Sequence, residues 1–200
     1  MALKLVLASK NPHKLTELRD ILSAQGVEVV LEGDVGADVD VEETGETFEE
    51  NAALKAVAVM KATGLPAIAD DSGLCIAALN DGPGVYSARY GGPGLTDVQR
   101  YQMVLNALRG QLDRGAKFVS CICCAFPNGD VVTARGECAG MIGYAPQGAD
   151  GFGYDPIFFI PEKKKTFAQM TAEEKNAISH RGRALAAFRE KLSAYLAEKA

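Results

Sequence analysis

The chain has no apolar run close to the ~20 residues that a membrane-spanning helix needs. Its apolar runs, such as Ala67–Ala69 and Cys121–Phe126, are a few residues each. The opening residues, Met1 to Ala8, lack the 7–15 residue apolar stretch of a secretory signal and lead straight into polar Ser9-Lys10-Asn11. The expectation is a cytoplasmic protein with no membrane partner. A surplus of positive charge is also missing: 21 Lys and Arg stand against 26 Asp and Glu, a net charge of −5. That argues against a nucleic-acid partner, because duplex binding rests on cations facing phosphates. A small anionic ligand held by a few local cations, or one arriving with a metal ion, stays compatible. The five cysteines are odd in number, and three of them (Cys121, Cys123, Cys124) fall in one apolar run. They read as reduced thiols of a core strand. Neither GxxxxGK nor GxGxxG occurs, which removes the Walker and dinucleotide-binding loops.

What is present is 48% hydrophobic and 24% charged over 200 residues, enough to bury a core without disulfides. No repeat or linker interrupts it, so a single domain over 1–200 is expected. Leu3–Ala8 and Val27–Leu31 read as strands around a helix that Pro12 opens and that runs to about Ala24. Thr47 with Glu50 is a capping box for a helix that stops at Gly64. Ala67–Ala69 is a buried strand expected to break at Asp70-Asp71-Ser72-Gly73, with Leu74–Leu79 extended beyond it. The glycine-rich stretch 81–94 predicts an ordered loop or broken helix, and Asp97–Leu108 a helix. Phe118–Phe126 and Val131–Ala139 form a hairpin across Pro127-Asn128-Gly129-Asp130. Pro156–Ile160 is a further strand, Thr171 with Glu174 a second capping box, and Leu185, Phe188, Leu192 and Tyr195 the buried stripe of a last helix. Interleaved strands and helices with one hairpin give an α/β fold on a mixed sheet.

Four polar clusters sit where elements end, which is where such folds build sites. Ser9-Lys10-Asn11-Pro12-His13-Lys14 joins a strand to a helix start, whose N–H groups, with the hydroxyl and lysines, suit a phosphate. Asp70 and Asp71 repel unless a cation or donors hold them. On a strand they point to opposite faces, so one can hold Mg²⁺ while the other bonds backbone. Glu42-Glu43-Thr44-Gly45 leads into a helix on which Asn51 and Lys55, four apart, share a face. Gly151-Phe152-Gly153-Tyr154-Asp155, with Lys175 and Ser179-His180-Arg181-Gly182, supplies an aromatic face and donors for a purine. Taken singly, each cluster also reads as an ordinary cap, turn or solvated face.

Six segments in this order resemble the dITP/XTP pyrophosphatase family, the inosine triphosphatases, from Leu5 to about Leu192. They are Ala8-Ser-Lys-Asn-Pro-His-Lys14, Glu42-Glu-Thr-Gly-Glu-Thr-Phe-Glu-Glu-Asn51, Ala67-Ile-Ala-Asp-Asp-Ser-Gly73, Pro83-Gly-Val-Tyr-Ser-Ala-Arg-Tyr90, Gly151-Phe-Gly-Tyr-Asp-Pro-Ile-Phe158 and Ile178-Ser-His-Arg-Gly182. Ser9-Lys10 stands where the family commonly has Thr-Gly. The resemblance implies an elongated mixed sheet flanked by helices, with two lobes and a central cleft, and a homodimer. It implies hydrolysis of ITP, dITP or XTP to the monophosphate and pyrophosphate with Mg²⁺. Glu42 and Asp71 would hold the metal, and Asp71 and Lys55 would be catalytic. Ser9, Lys10, Asn11, Pro12, His13, Lys14 and Ser72 would bind the substrate, as would Phe152, Gly153, Tyr154, Asp155, Lys175, His180 and Arg181. Alternatives are a pyrophosphatase for modified pyrimidine triphosphates and a nucleotide-binding regulator without turnover.

Overall fold

The computed structural model describes residues 3–22 and 26–199; the side chains of His13 and Asp20 lie outside that description. Elements follow as β1 (Leu3–Leu7), α1 (Pro12–Leu22), β2 (Val27–Leu31), α2 (Phe48–Thr63), β3 (Ala67–Ile76) and β4 (Gly82–Pro83). Then come α3 (Asp97–Ala107), β5 (Gly115–Ala125), β6 (Val131–Ile142), β7 (Phe158–Ile160), β8 (Lys165–Thr166), α4 (Ala172–Asn176) and α5 (His180–Lys199). The sheet is mixed, in the order β2-β1-β3-β5-β6-β7-β8, with β4 paired to β3. β1 lies parallel to β2 and β3, while β3–β4, β6–β7 and β7–β8 are antiparallel.

The chain divides into two compact units. The first holds the chain up to Asp71, Ser120–Gly136 and everything from His180 on. Its core places Leu5 and Leu7 of β1 and Ile68 of β3 against Leu15, Leu18 and Leu22 of α1 and Leu185, Phe188 and Leu192 of α5. Those spacings are the three-and-four rhythm of one helix face. The far end of α5 is fastened to the hairpin tip, where Asp130 accepts from the Tyr195 hydroxyl at 3.1 Å and pairs with Lys199 at 2.8 Å. The second unit, Ser72–Val119 with Glu137–Ser179, packs Leu74, Ile76, Val104 and Leu108 around an aromatic group. There Phe118 and Phe158 meet edge-on at 4.6 Å, and Phe158 lies 4.9 Å from Phe167.

All five cysteines are free and buried, as expected of core thiols. Burial pushes the Cys123 thiol up to about 11, where it is neutral and inert. β6 alternates exposed and buried residues from Val131 to Cys138, whereas β5 is buried throughout from Phe118, which is why only the former shows period two.

Two strand expectations need correction. β3 does not break at Asp70: it runs unbroken through Asp70-Asp71-Ser72-Gly73 to Ile76, and Ala77–Leu79 is a 3₁₀ turn. Buried cations neutralise the acids, so nothing forces the backbone out of the strand. The strand expected over Pro156–Ile160 starts only at Phe158, because Asp155–Ile157 is a 3₁₀ turn with Pro156 in its first positions. Helix α1 is described to Leu22, and Ala24, its expected end, lies outside the described residues.

Candidate active site

The site is built on β3. Its period of two turns Asp70 and Asp71 to opposite faces, and the surroundings treat them differently. Asp70 is wholly buried. Its Oδ2 accepts from Arg181 Nε and Nη2 at 3.0 and 2.9 Å and pairs with Lys14 Nζ at 3.1 Å, while its Oδ1 accepts from the Ser120 hydroxyl at 2.6 Å. Burial alone would raise this carboxyl, but Arg181, then Lys14, hold it far below the usual carboxylate range. The sequence reading had Asp70 bonding backbone; its partners are instead side chains from α1, β5 and α5.

Asp71 is also buried, but only half used. Its Oδ1 receives Lys55 Nζ at 2.6 Å, and its Oδ2 is buried with no hydrogen-bond partner among the described residues. Burial pushes this carboxyl up, helped by the charge of Glu43 and opposed by Lys55. Lys55 reaches inward from α2, whose start is fixed by Thr47 and Glu50 capping one another, as the sequence predicts. Burial alone would lower Lys55, but contact with Asp71 and Glu43 outweighs it and holds the ammonium above its ordinary value.

The second acid on Lys55 is Glu43, with Oε1 at 2.7 Å. Glu42, named from the sequence as the metal-binding acid, is exposed. In an extended segment adjacent side chains face opposite ways, so only one of the two can turn inward. Here it is Glu43 that meets Lys55.

The loop before α1 is partly brought to this group. Lys14, on the first turn of α1, donates to Asp70 O at 2.9 Å. Its ammonium is pushed down by burial, with Asp70 opposing and Arg181 and Lys55 adding to the shift. Ser9 Oγ accepts the Asn11 N–H at 3.1 Å, which sets the entry into the helix at Pro12. Lys10 is turned away, exposed and paired with Asp38 at 2.6 Å. His13 carries a side chain outside the described residues, and Ser72 follows Asp71 half-buried on β3.

Arg181, expected to face a purine, is buried at the start of α5, with Nε and Nη2 on Asp70 and Nη1 on Glu17. All three nitrogens of the guanidinium are spent on carboxylates. His180 beside it is buried too. Both are seated close to β6 because position 136 is glycine: a Cβ there would run into the His180 carbonyl and the Ala184 backbone.

In the second unit, Phe152 lies under Lys175 Nζ, 4.8 Å from its ring centroid. Lys175 is buried and paired with Asp155 Oδ2 at 2.8 Å, and that same oxygen accepts the Phe152 N–H at 3.0 Å. Gly153 N–H donates to Asp97 at 2.8 Å. Tyr154 is not available as a surface contact: it is buried, its hydroxyl donating to Ser87 O at 2.7 Å.

The family model described as the Ham1 family matches residues 5–191. The chain belongs to the Ham1 family. It is 46% identical over 183 residues to the dITP/XTP pyrophosphatase of Exiguobacterium sp., covering 92% of this chain and 93% of that one. To the dITP/XTP pyrophosphatase of Nostoc sp. it is 48% identical over 197 residues, with 98% and 97% covered. The Staphylococcus aureus Ham1 protein superposes with a TM-score of 0.88 at 41% identity, over 96% of this chain and 99% of that one.

Two members of the group were missed in the sequence of this Ham1 chain: Glu17 and Ser120. Only Ser120 left a signal, as the one hydroxyl in the run Phe118–Phe126; a polar group in a buried strand needs a partner, and Asp70 is that partner. Glu17 reads as an ordinary exposed acid of an amphipathic helix.

Proposed function

We propose that this chain hydrolyses the non-standard purine nucleoside triphosphates ITP, dITP and XTP to the monophosphate and pyrophosphate. The observation that carries the reading is Asp71: a buried carboxylate with one oxygen on Lys55 and the other with no hydrogen-bond partner among the described residues. A buried acceptor of that kind costs about 1–3 kcal/mol, a cost that a ligand removes.

The donor set fits a divalent cation. Among the described residues no three acidic, histidine or cysteine side chains converge on one point. Mg²⁺ is ordinarily held by one or two carboxylates, with water and substrate phosphates completing its shell. Asp71 and Glu43 would supply the two, and the bound ion would neutralise charge on the phosphates. Lys14 and Lys55 bring two ammonium groups to the same place for the triphosphate. Asp71, pushed up by burial, is suited to take a proton from the water that attacks the α-phosphorus as pyrophosphate leaves. The half-buried Phe152 ring, with Lys175 against it, suits an oxygen-bearing base. Cytoplasmic location and a homodimer complete the reading; no described helix is long and apolar enough to cross a membrane.

The test is release of pyrophosphate from ITP, XTP, ATP, GTP and modified pyrimidine triphosphates, each with Mg²⁺. Release from ITP and XTP well above the others supports the reading. A preference for pyrimidines, or binding with no release from any, overturns it.

A further inference from the structure

Asn51 shares its face of α2 with Lys55 one turn later, and its side chain is entirely out of solvent. A buried amide must place both its donor and its acceptor. Asn51 places both on one residue: Oδ1 accepts the Gly45 N–H at 2.8 Å, and Nδ2 donates to the Gly45 carbonyl at 3.4 Å. Next to it, Glu50 Oε2 accepts the N–H groups of Glu46 and Thr47 at 2.7 and 3.2 Å. The acidic segment before α2 has no strand or helix of its own, yet it is stitched to the helix at three consecutive residues. Glu43 stands two residues upstream of the first stitch, with its carboxylate on Lys55. The joint leaves no space at position 45, where a Cβ would lie 2.7 Å from Asn51 Oδ1 and 2.7 Å from Glu50 Cβ.

We infer that Asn51 is a positioning residue: by clasping Gly45 it fixes where the Glu43 carboxylate stands against Lys55 and Asp71. Without the clasp the loop would have to lose its backbone freedom each time Glu43 came into place. The inference deepens the proposed function and rests on it for its activity measurement.

The experiment compares wild type, Asn51→Ala, Gly45→Ala, Glu43→Gln and the Asn51→Ala/Glu43→Gln double variant. Small misplacements of a site group cost up to about a hundredfold, so Asn51→Ala is expected to lower kcat/KM for ITP between about ten- and a hundredfold. The double variant should be no worse than Glu43→Gln alone, since the clasp acts through that carboxylate. Gly45→Ala, which crowds the same joint without opening a cavity, should match Asn51→Ala. Losses that multiply in the double variant, or a folded Gly45→Ala with wild-type kcat/KM, overturn the inference. If Asn51→Ala does not fold, Gly45→Ala alone and combined with Glu43→Gln decides it by the same criteria. Amide exchange in the metal-free protein supplies a second readout. The Gly45 N–H should be protected in wild type and exchange quickly in Asn51→Ala; equal protection in both also overturns the clasp. Wild type that releases no pyrophosphate overturns the proposed function and leaves the exchange result to judge the clasp.

Discussion

Lys14 and Lys55, from two different helices, donate to the same backbone oxygen, that of Asp70, at 2.9 and 3.3 Å. Two ammonium groups on one acceptor repel each other, and they are tolerated because Asp70 and Asp71 carry compensating charge on either side of that carbonyl. A phosphate between the lysines would add a second source of compensation. Lys14→Met and Lys55→Met should each cost about ten- to a hundredfold in kcat/KM, the value of one charged hydrogen bond. Because phosphates carry no base information, ITP and XTP should suffer alike. Kinetics of both variants on both substrates checks this, and a shift in the ratio of the two substrates would place that lysine at the base instead.

Asp71→Asn should lower turnover by about a hundredfold or more while the protein stays folded. It removes a proton acceptor and a charge, while Lys55 keeps Glu43 as a partner. Turnover at saturating Mg²⁺ and thermal unfolding of the same preparation check both halves. Wild-type turnover would remove Asp71 from the chemistry.

Asp70→Asn should do the reverse, acting first on stability. Taking one partner from a buried ion pair costs about 3–5 kcal/mol, because Arg181 and Lys14 keep their charges in the interior. The pH dependence has a definite sign. Asp70 is held far below its unfolded value of about 3.9, so its contribution is present above that pH and drains as pH falls below it, where the unfolded chain takes up a proton and the folded one does not. Urea unfolding between pH 3 and 7 should show wild type losing stability on the acid side and Asp70→Asn losing less. Parallel curves would remove Asp70 as the source.

Arg181→Ala should lower activity on ITP, XTP and ATP by one common factor and destabilise the fold, since it strips Asp70 of its chief partner. Its effect is measured by the ratio of kcat/KM values among the three substrates. A selective loss for ITP over ATP would show the guanidinium leaving its carboxylates to meet a base.

The helices were legible wherever their own side chains close them: Thr47 with Glu50 and Thr171 with Glu174 cap within three residues, and both boxes form. The acid pair was legible as a site because two charges after an apolar strand demand cations. Which cations was not legible. Arg181 lies 111 residues from Asp70 and 164 from Glu17, so only tertiary packing reveals that it pairs with these acids. Which of Glu42 and Glu43 meets Lys55 has the same origin: in a loop without periodicity the parity is set by what lies opposite.

The last helix is a strut of about 30 Å, twenty residues at 1.5 Å each. Its near end carries His180 and Arg181 and is wedged against Gly136; its far end is tied by Tyr195 and Lys199 to Asp130 at the hairpin tip. A stiff rod held at both ends transmits displacement along its length. The outer tip of the hairpin, remote in sequence from every acid of β3, thereby has mechanical leverage over the guanidinium that keeps Asp70 charged.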